Sequence, residues 1–225
     1  MLRKTPFVSE EFYHIYNRGT DKRKIFMNAH DYNRFMTLLY LCNDTNPVNI
    51  EAEIRKGRSF TELMNTKRDK PLIDIAAYCL MPNHFHILIK ELDRNTAVFM
   101  KKLLTAYSMY FNSKHKRTGA LFEGRFKSRH VDDEAYFHYL FAYIHLNPAK
   151  LVEPLWKEKG VLNTKKFTNF MLTYPYSSYH DYFQNGRKES VILSKNILPD
   201  YIQDIDGISE LITSFHESKE EEVEM

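Results

Sequence analysis

The fold can be read outward from one stretch, Met81-Pro82-Asn83-His84-Phe85-His86-Ile87-Leu88-Ile89-Lys90. Met81-Pro82-Asn83 has the composition of a tight connection, and the run from His84 to Lys90 that of a strand. A β-rich run precedes it from Ile73 to Leu80, so the two predict a hairpin. Strand side chains repeat every two residues. His84 and His86 therefore leave one face and Phe85 the other. Two imidazoles so placed can converge on one divalent cation, although hydrophobic strands also carry paired histidines with no ligand role.

Upstream, Phe12 to Tyr16 is β-rich and Asn17 to Asp21 reads as a turn. The apolar positions from Ala29 to Cys42 follow helical spacing, with Asn28 as a candidate cap. Residues 43–70 are polar and predict an inserted loop with a short helix at Phe60 to Asn65. Downstream, Asn95 or Thr96 caps a helix from Ala97 to about Asn112, and a basic turn follows. Leu121 to Val131 reads as extended structure or loop. Asp132 or Asp133 then caps a helix to about Leu146 that ends before Pro148. This order predicts an α+β fold in which a mainly antiparallel sheet carries helices on its faces. It gives one domain over 1–150 and a helical or irregular appendage over 151–225 that packs on it.

The chain has 225 residues, 43% hydrophobic and 27% charged, which excludes a disordered or collagen-like protein. No apolar run approaches the ~20 residues of a membrane span. The opening residues lack a hydrophobic leader, so a cytoplasmic protein is expected. Cys42 and Cys79 form no CxxC pattern and read as buried thiols. The formal charge of +3 is uneven. The last nine residues, 217–225, hold five Glu and one Lys and are expected to be disordered; residues 1–216 carry a net +7. Between Lys101 and His130 stand eight Lys or Arg against one acid, Glu123, interleaved with aromatics. Such a segment suits a phosphate backbone with unstacked bases, or else a solvated helix face.

Tyr136, Tyr139, Tyr143 and Asn147 recur three and four apart and share one helix face. For Tyr136 and Tyr139, packing on the sheet is the preferred role. A phenol, with a pKa of about 10, is a poor nucleophile in water. A cation that neutralises a phosphodiester makes a nearby tyrosine a workable nucleophile toward it.

Met81 to Leu88, together with Ala142-Tyr143-Ile144-His145-Leu146-Asn147-Pro148, resembles the IS200-like single-tyrosine transposases of the HUH nuclease superfamily, and within them the REP-associated tyrosine transposase branch. His14 to Gly19, Gly119 to Ser128 and Tyr174 to Tyr179 support the resemblance, which covers roughly residues 11–183. It implies a ferredoxin-like fold with the histidine triplet on a sheet strand and Tyr143 as nucleophile. It implies a divalent metal, Mg²⁺ or Mn²⁺, held by His84 and His86. Related enzymes carry a glutamine four residues after the tyrosine; here Asn147 offers the shorter amide as third ligand. The implied substrate is single-stranded DNA with hairpin or palindromic elements, cut through a 5′-phosphotyrosine and rejoined by the reverse step. Arg125, Lys127 and Arg129 are expected at the DNA backbone, with Arg18, Lys116 and Arg117 as further contacts. A monomer and a homodimer both fit the resemblance. Asn83 is expected to form the turn, orient a histidine or touch DNA, and His145 to be structural. Two other readings stay open: a hairpin-binding relative that does not cut, and a metal phosphoesterase that hydrolyses without a covalent step.

Overall fold

Four strands form one sheet: β1 (Phe12–Arg18), β2 (Ile73–Met81), β3 (His84–Glu91) and β4 (Lys127–Val131). Their order is β2-β3-β1-β4, with every neighbouring pair antiparallel. With a helical connection after β1 and another after β3, this is the ferredoxin-like arrangement that the resemblance implies. The computed structural model of the protein describes residues 6–47, 49–184, 186–203, 205 and 207–224, and the side chains of residues 203 and 217–224 lie outside that description. The expected disorder of 217–225 falls on residues whose side chains are outside the described set.

Strand β3 is an interior strand, paired with β2 on one side and β1 on the other. Access to its histidines therefore comes from the strand's beginning and from one face, not from a sheet edge. Along β3 the alternation is strict. Phe85, Ile87 and Ile89 enter a core with Ile15 of β1, Phe35 and Leu39 of α1 (Ala29–Leu41), and Phe99, Leu103 and Tyr107 of α4 (Thr96–Lys114). On the other face Leu88 joins Val131, Phe137 and Phe141, the last two from α5 (Glu134–Leu146). The helix that carries Tyr143 thus lies on the histidine side of the sheet.

Local signals explain the helix ends. Asn28 accepts from the Asp31 N–H, and Asp133 accepts from the Tyr136 N–H at 2.6 Å. Neither Asn95 nor Thr96 caps α4 with its side chain. Instead the buried Glu91 carboxylate at the end of β3 accepts from the Asn95 and Thr96 N–H groups at 2.8 and 3.1 Å. Residues 43–70 hold two helices, α2 (Ile50–Arg55) and α3 (Phe60–Leu63), where one was expected. Ser59 and Glu62 close a capping box on α3, and Ile50, Leu63 and Met64 are buried against the first core.

Beyond residue 150 the chain forms α6 (Trp156–Lys159), α7 (Thr164–Thr173), α8 (Tyr179–Phe183), α9 (Asp200–Gln203) and α10 (Ile208–Glu224). Trp156, Phe167, Met171, Tyr179, Leu211 and Phe215 extend the second core over α5. The Tyr174 to Tyr179 segment docks on the outer edge of β2. The Leu80 N–H donates to the Tyr176 carbonyl, and the Ser178 N–H to the Tyr78 carbonyl, both at 2.9 Å. His145 ties α5 to the same segment: its Nδ1–H donates to the Phe141 carbonyl, and its Nε2 accepts from the Ser178 hydroxyl at 2.8 Å. Its role is structural, as expected.

Candidate active site

Antiparallel pairing puts His14 and Tyr16 of β1 on the same face as His84 and His86 of β3, since Tyr16 stands opposite His86. Helix α5 lays Tyr143 across them. The Tyr143 ring meets His86 edge-on, with centroids 5.2 Å apart, and His14 at 6.5 Å. The His84 and His86 rings stand perpendicular at 5.0 Å. His84, His86 and Tyr143 open on a cleft of about 380 Å³ whose walls include Tyr16, Arg18, Lys22, Asn83 and Lys127.

The Asn83 side chain settles the tautomer of His84. Its Nδ2 donates to the Lys22 carbonyl at 3.2 Å, which turns Oδ1 toward His84 Nδ1 at 2.6 Å. An amide oxygen only accepts, so His84 Nδ1 carries the proton and Nε2 keeps a lone pair. Of the roles expected for Asn83, orienting a histidine and forming the turn are both present. His86 Nδ1 lies 2.8 Å from His14 Nε2, while His86 Nε2 is buried with no protein partner. Asn147, 1% exposed, is equally deprived at both amide atoms. Its amide neighbours the His84 ring and the Tyr143 phenol closely enough to bias both, without completing a hydrogen bond of good geometry to either.

A buried polar atom left without a partner costs about 1–3 kcal/mol. His86 Nε2 and the Asn147 amide gather this cost beside the His84 ring, and the donors they present are imidazole nitrogen and amide oxygen. That set fits a divalent cation, with imidazole favouring Mn²⁺ over Mg²⁺. No His, Cys, Asp or Glu cluster of three with metal-binding geometry occurs among the described residues. The donors that could hold a metal here are those of His84, His86 and Asn147.

Burial keeps the imidazoles neutral. It lowers the His14 pKa to about 3, helped by the Arg129 charge, and that of His84 to about 4. His86 falls well below its ordinary value, first through burial and then through neighbouring histidines and lysines. Burial raises the Tyr143 phenol above its ordinary value, and the Asn147 amide partly offsets this. The phenol is therefore protonated at neutral pH.

Six cations surround this neutral cluster, with Arg129 opposite His14 on β4. Arg18, Lys22 and Lys127 line the cleft, and Lys150 and Lys157 are near enough to depress both His84 and His86. Lys157 Nζ sits 3.7 Å above the Tyr143 ring, held there because the adjacent Trp156 is buried under α10 against Phe215. Arg18 is paired with Glu123 at the rim. Lys22 reaches the cleft through a turn that only glycine permits: a Cβ on Gly19 would lie 2.4 Å from the Arg23 carbonyl oxygen. The Gly19 N–H also donates to the Asn83 carbonyl at 2.9 Å, binding this turn to the histidine hairpin.

Of the basic residues expected at DNA, Arg18 and Lys127 line the cleft. Arg125 lines an apolar pocket with Phe7 and Phe126, whose packing belongs to the opposite core, and Arg129 stacks on the Tyr136 ring at 3.7 Å. Lys116 occupies a left-handed turn position after α4, and Arg117 donates to Asn112 Oδ1 at 2.9 Å. In the 43–70 segment several cations pair with nearby acids: Lys56 and Arg58 with Glu53, and Lys70 with Asp93. His14, Tyr16, Lys22, Lys150 and Lys157 are site residues that sequence reasoning missed. His14 shares the face of Phe12 and Tyr16, but only the strand register brings it to His86. Nothing in the sequence around Lys157 marks it.

Solved structures similar to the chain include the following two. One is a REP-associated tyrosine transposase bound to a REP hairpin, 12% identical, covering 92% of this chain and 93% of that one with a TM-score of 0.46. The other is a bacterial tRNA(His) guanylyltransferase-like protein in complex with ATP, 11% identical, covering 79% and 77% with a TM-score of 0.37. No curated protein matches the chain. No described helix is long and apolar enough to cross a membrane. The decisive comparison is with the family described as IS200-like transposase, whose model matches residues 8–147, from just before β1 through α5 to Asn147. The match takes in every strand, both histidines of the triplet and the tyrosine helix, and the chain belongs to the IS200-like transposase family.

Proposed function

We propose that the protein is a metal-dependent single-stranded DNA transesterase of the REP-associated branch, cutting and rejoining hairpin-containing strands through Tyr143. One observation carries the reading. Tyr143 lies edge-on to His86 beside two buried groups, His86 Nε2 and the Asn147 amide, that have no protein partner. His84, His86 and Asn147 are the residues to hold Mg²⁺ or Mn²⁺, which when bound supplies Lewis-acid polarisation of the phosphate.

The chain's own groups perform the rest. Tyr143 Oη attacks the scissile phosphorus, a P–O bond to the phenol forms, and the bond to the 3′ oxygen breaks. The phenol proton ends on the departing 3′ hydroxyl. The phosphodiester is conserved as a 5′-phosphotyrosine, so a 3′ hydroxyl can reverse the step without an energy source. Lys157 and Lys150 supply fixed positive charge where phosphate charge gathers. Arg18, Lys22 and Lys127 at the cleft wall hold the flanking backbone, and their contribution weakens with salt.

The test is incubation of the full chain with labelled hairpin single strands and Mn²⁺, followed by denaturing gel analysis. A covalent protein–DNA adduct is expected from wild type, and its absence on every cognate strand sinks the reading. Tyr143→Phe is expected to abolish the adduct. Full adduct formation by that variant would move the nucleophile to Tyr139, whose ring stacks on Tyr143 at 5.8 Å.

A further inference from the structure

His84 and His86 are anchored by different partners. Asn83 fixes the proton of His84 on Nδ1, because the asparagine amide is itself oriented by the Lys22 carbonyl. His86 faces another imidazole. His14 Nε2 and His86 Nδ1 are 2.8 Å apart, both rings are buried, and either ring could give the proton.

The surroundings distinguish the two arrangements. His86 Nε2 has no protein partner. If the proton sat there, a buried N–H donor would be left with no acceptor. If it sits on Nδ1, that bond to His14 is satisfied and Nε2 presents a lone pair. His84 has the same division, Nδ1–H anchored and Nε2 available. Histidines that bind metals characteristically donate the other ring N–H to a fixed acceptor. His14 is suited to be that acceptor: it is 7% exposed, on an interior strand, with the Tyr16 ring at 4.8 Å.

We propose that His14 is a positioning residue, whose Nε2 accepts from His86 Nδ1–H and so fixes His86 in the tautomer that offers Nε2 to a cation. Its Nε2 is committed to that bond, which takes His14 out of the ligand set. The inference rests on the metal reading of the site given above. His14 and Asn83 then form a matched pair of anchors, one below each histidine of the triplet.

Two measurements on the full chain test this. In the metal-free protein with ¹⁵N-labelled histidine, long-range ¹H–¹⁵N correlations should show His86 protonated at Nδ1; a dominant Nε2–H tautomer overturns the proposal. Mn²⁺ affinity, followed by electron paramagnetic resonance, should weaken roughly 10–100-fold in His14→Phe, the range found for such outer partners. His14→Gln, whose amide oxygen can accept the same proton, should stay within a few-fold of wild type. Thermal melts of both variants separate loss of the anchor from loss of the fold. Unchanged Mn²⁺ affinity in folded His14→Phe overturns the role of His14 alone. A wild type that binds no Mn²⁺, or binds it equally after His86→Ala, overturns the metal reading and the His14 role with it.

Discussion

The two faces of the sheet are built from alternate residues of the same strands and each carries an apolar core, yet only the α5 face sets a cluster of imidazoles beside it. On the α1/α4 side, Phe85, Ile87 and Ile89 meet Phe35, Phe99 and Tyr107, and the aromatic rings pack edge-on or tilted. On the α5 side, His84 and His86 replace that chemistry with imidazoles, and His86 and Asn147 hold polar atoms without partners. One face contributes stability through apolar burial, roughly 25 cal/mol for each Å² removed from water. The other gives some of it up to hold neutral nitrogen and amide donors ready. Because strand period separates the faces, the polar site need not disturb the main core.

The largest effect that would sharpen this contrast is Phe85→Ala, on the fully buried side. It should destabilise by about 3–5 kcal/mol in chemical denaturation. A loss below about 1 kcal/mol would mean that the α1/α4 face is not the main stabilising core.

A pH effect should come from the histidine side. His14 and His145 are held by burial to about 3, against 6.5 for the free side chain. Below about pH 6.5 the unfolded chain takes up protons that the folded chain refuses. Stability is therefore full above that pH and falls toward about pH 3, by up to about 1.4 kcal/mol per pH unit for each histidine. Melting temperatures between pH 6.5 and 4.5, above the range where Asp31 titrates, should show this loss. A flat profile there would break the contrast.

Asn147→Leu removes two buried unpartnered polar atoms from a site of similar breadth. It should raise stability by about 1–2 kcal/mol while weakening Mn²⁺ binding, the trade expected where a site is kept for function. A lower melting temperature would show that the amide has partners in solution. The smallest effect concerns the rim. Glu123→Gln frees Arg18 from an exposed pair, so the melting temperature should not move. Hairpin DNA should bind more tightly at low salt, with the gain disappearing as salt is raised.

Much of the architecture was legible because it depends on local periodicity. The alternation from His84 to Lys90, the helical spacing of Ala29 to Cys42, and Asp133 as a cap all recur in the structure. The short helix expected at Phe60 to Asn65 forms as α3 (Phe60–Leu63), whereas α2 was not foreseen, being a six-residue helix with only Ile50 buried. Charge was the poorest guide. The eight cations of Lys101 to His130 disperse: Lys114 pairs with the buried Asp31, Lys102 bonds to the Asn46 carbonyl, and only Lys127 of them lines the cleft.

Spacing two along a strand already places His84 and His86 on one face, and spacing four along a helix aligns Tyr143 with Asn147. Those are consequences of backbone geometry and need no partner. The meeting of the two pairs, the His14 contact and the Lys157 cation over the phenol depend on strand register and on helices folding back from far along the chain. A histidine on β1 and a lysine beside Trp156 carry no local sign of it, because their place is set by what they pack against.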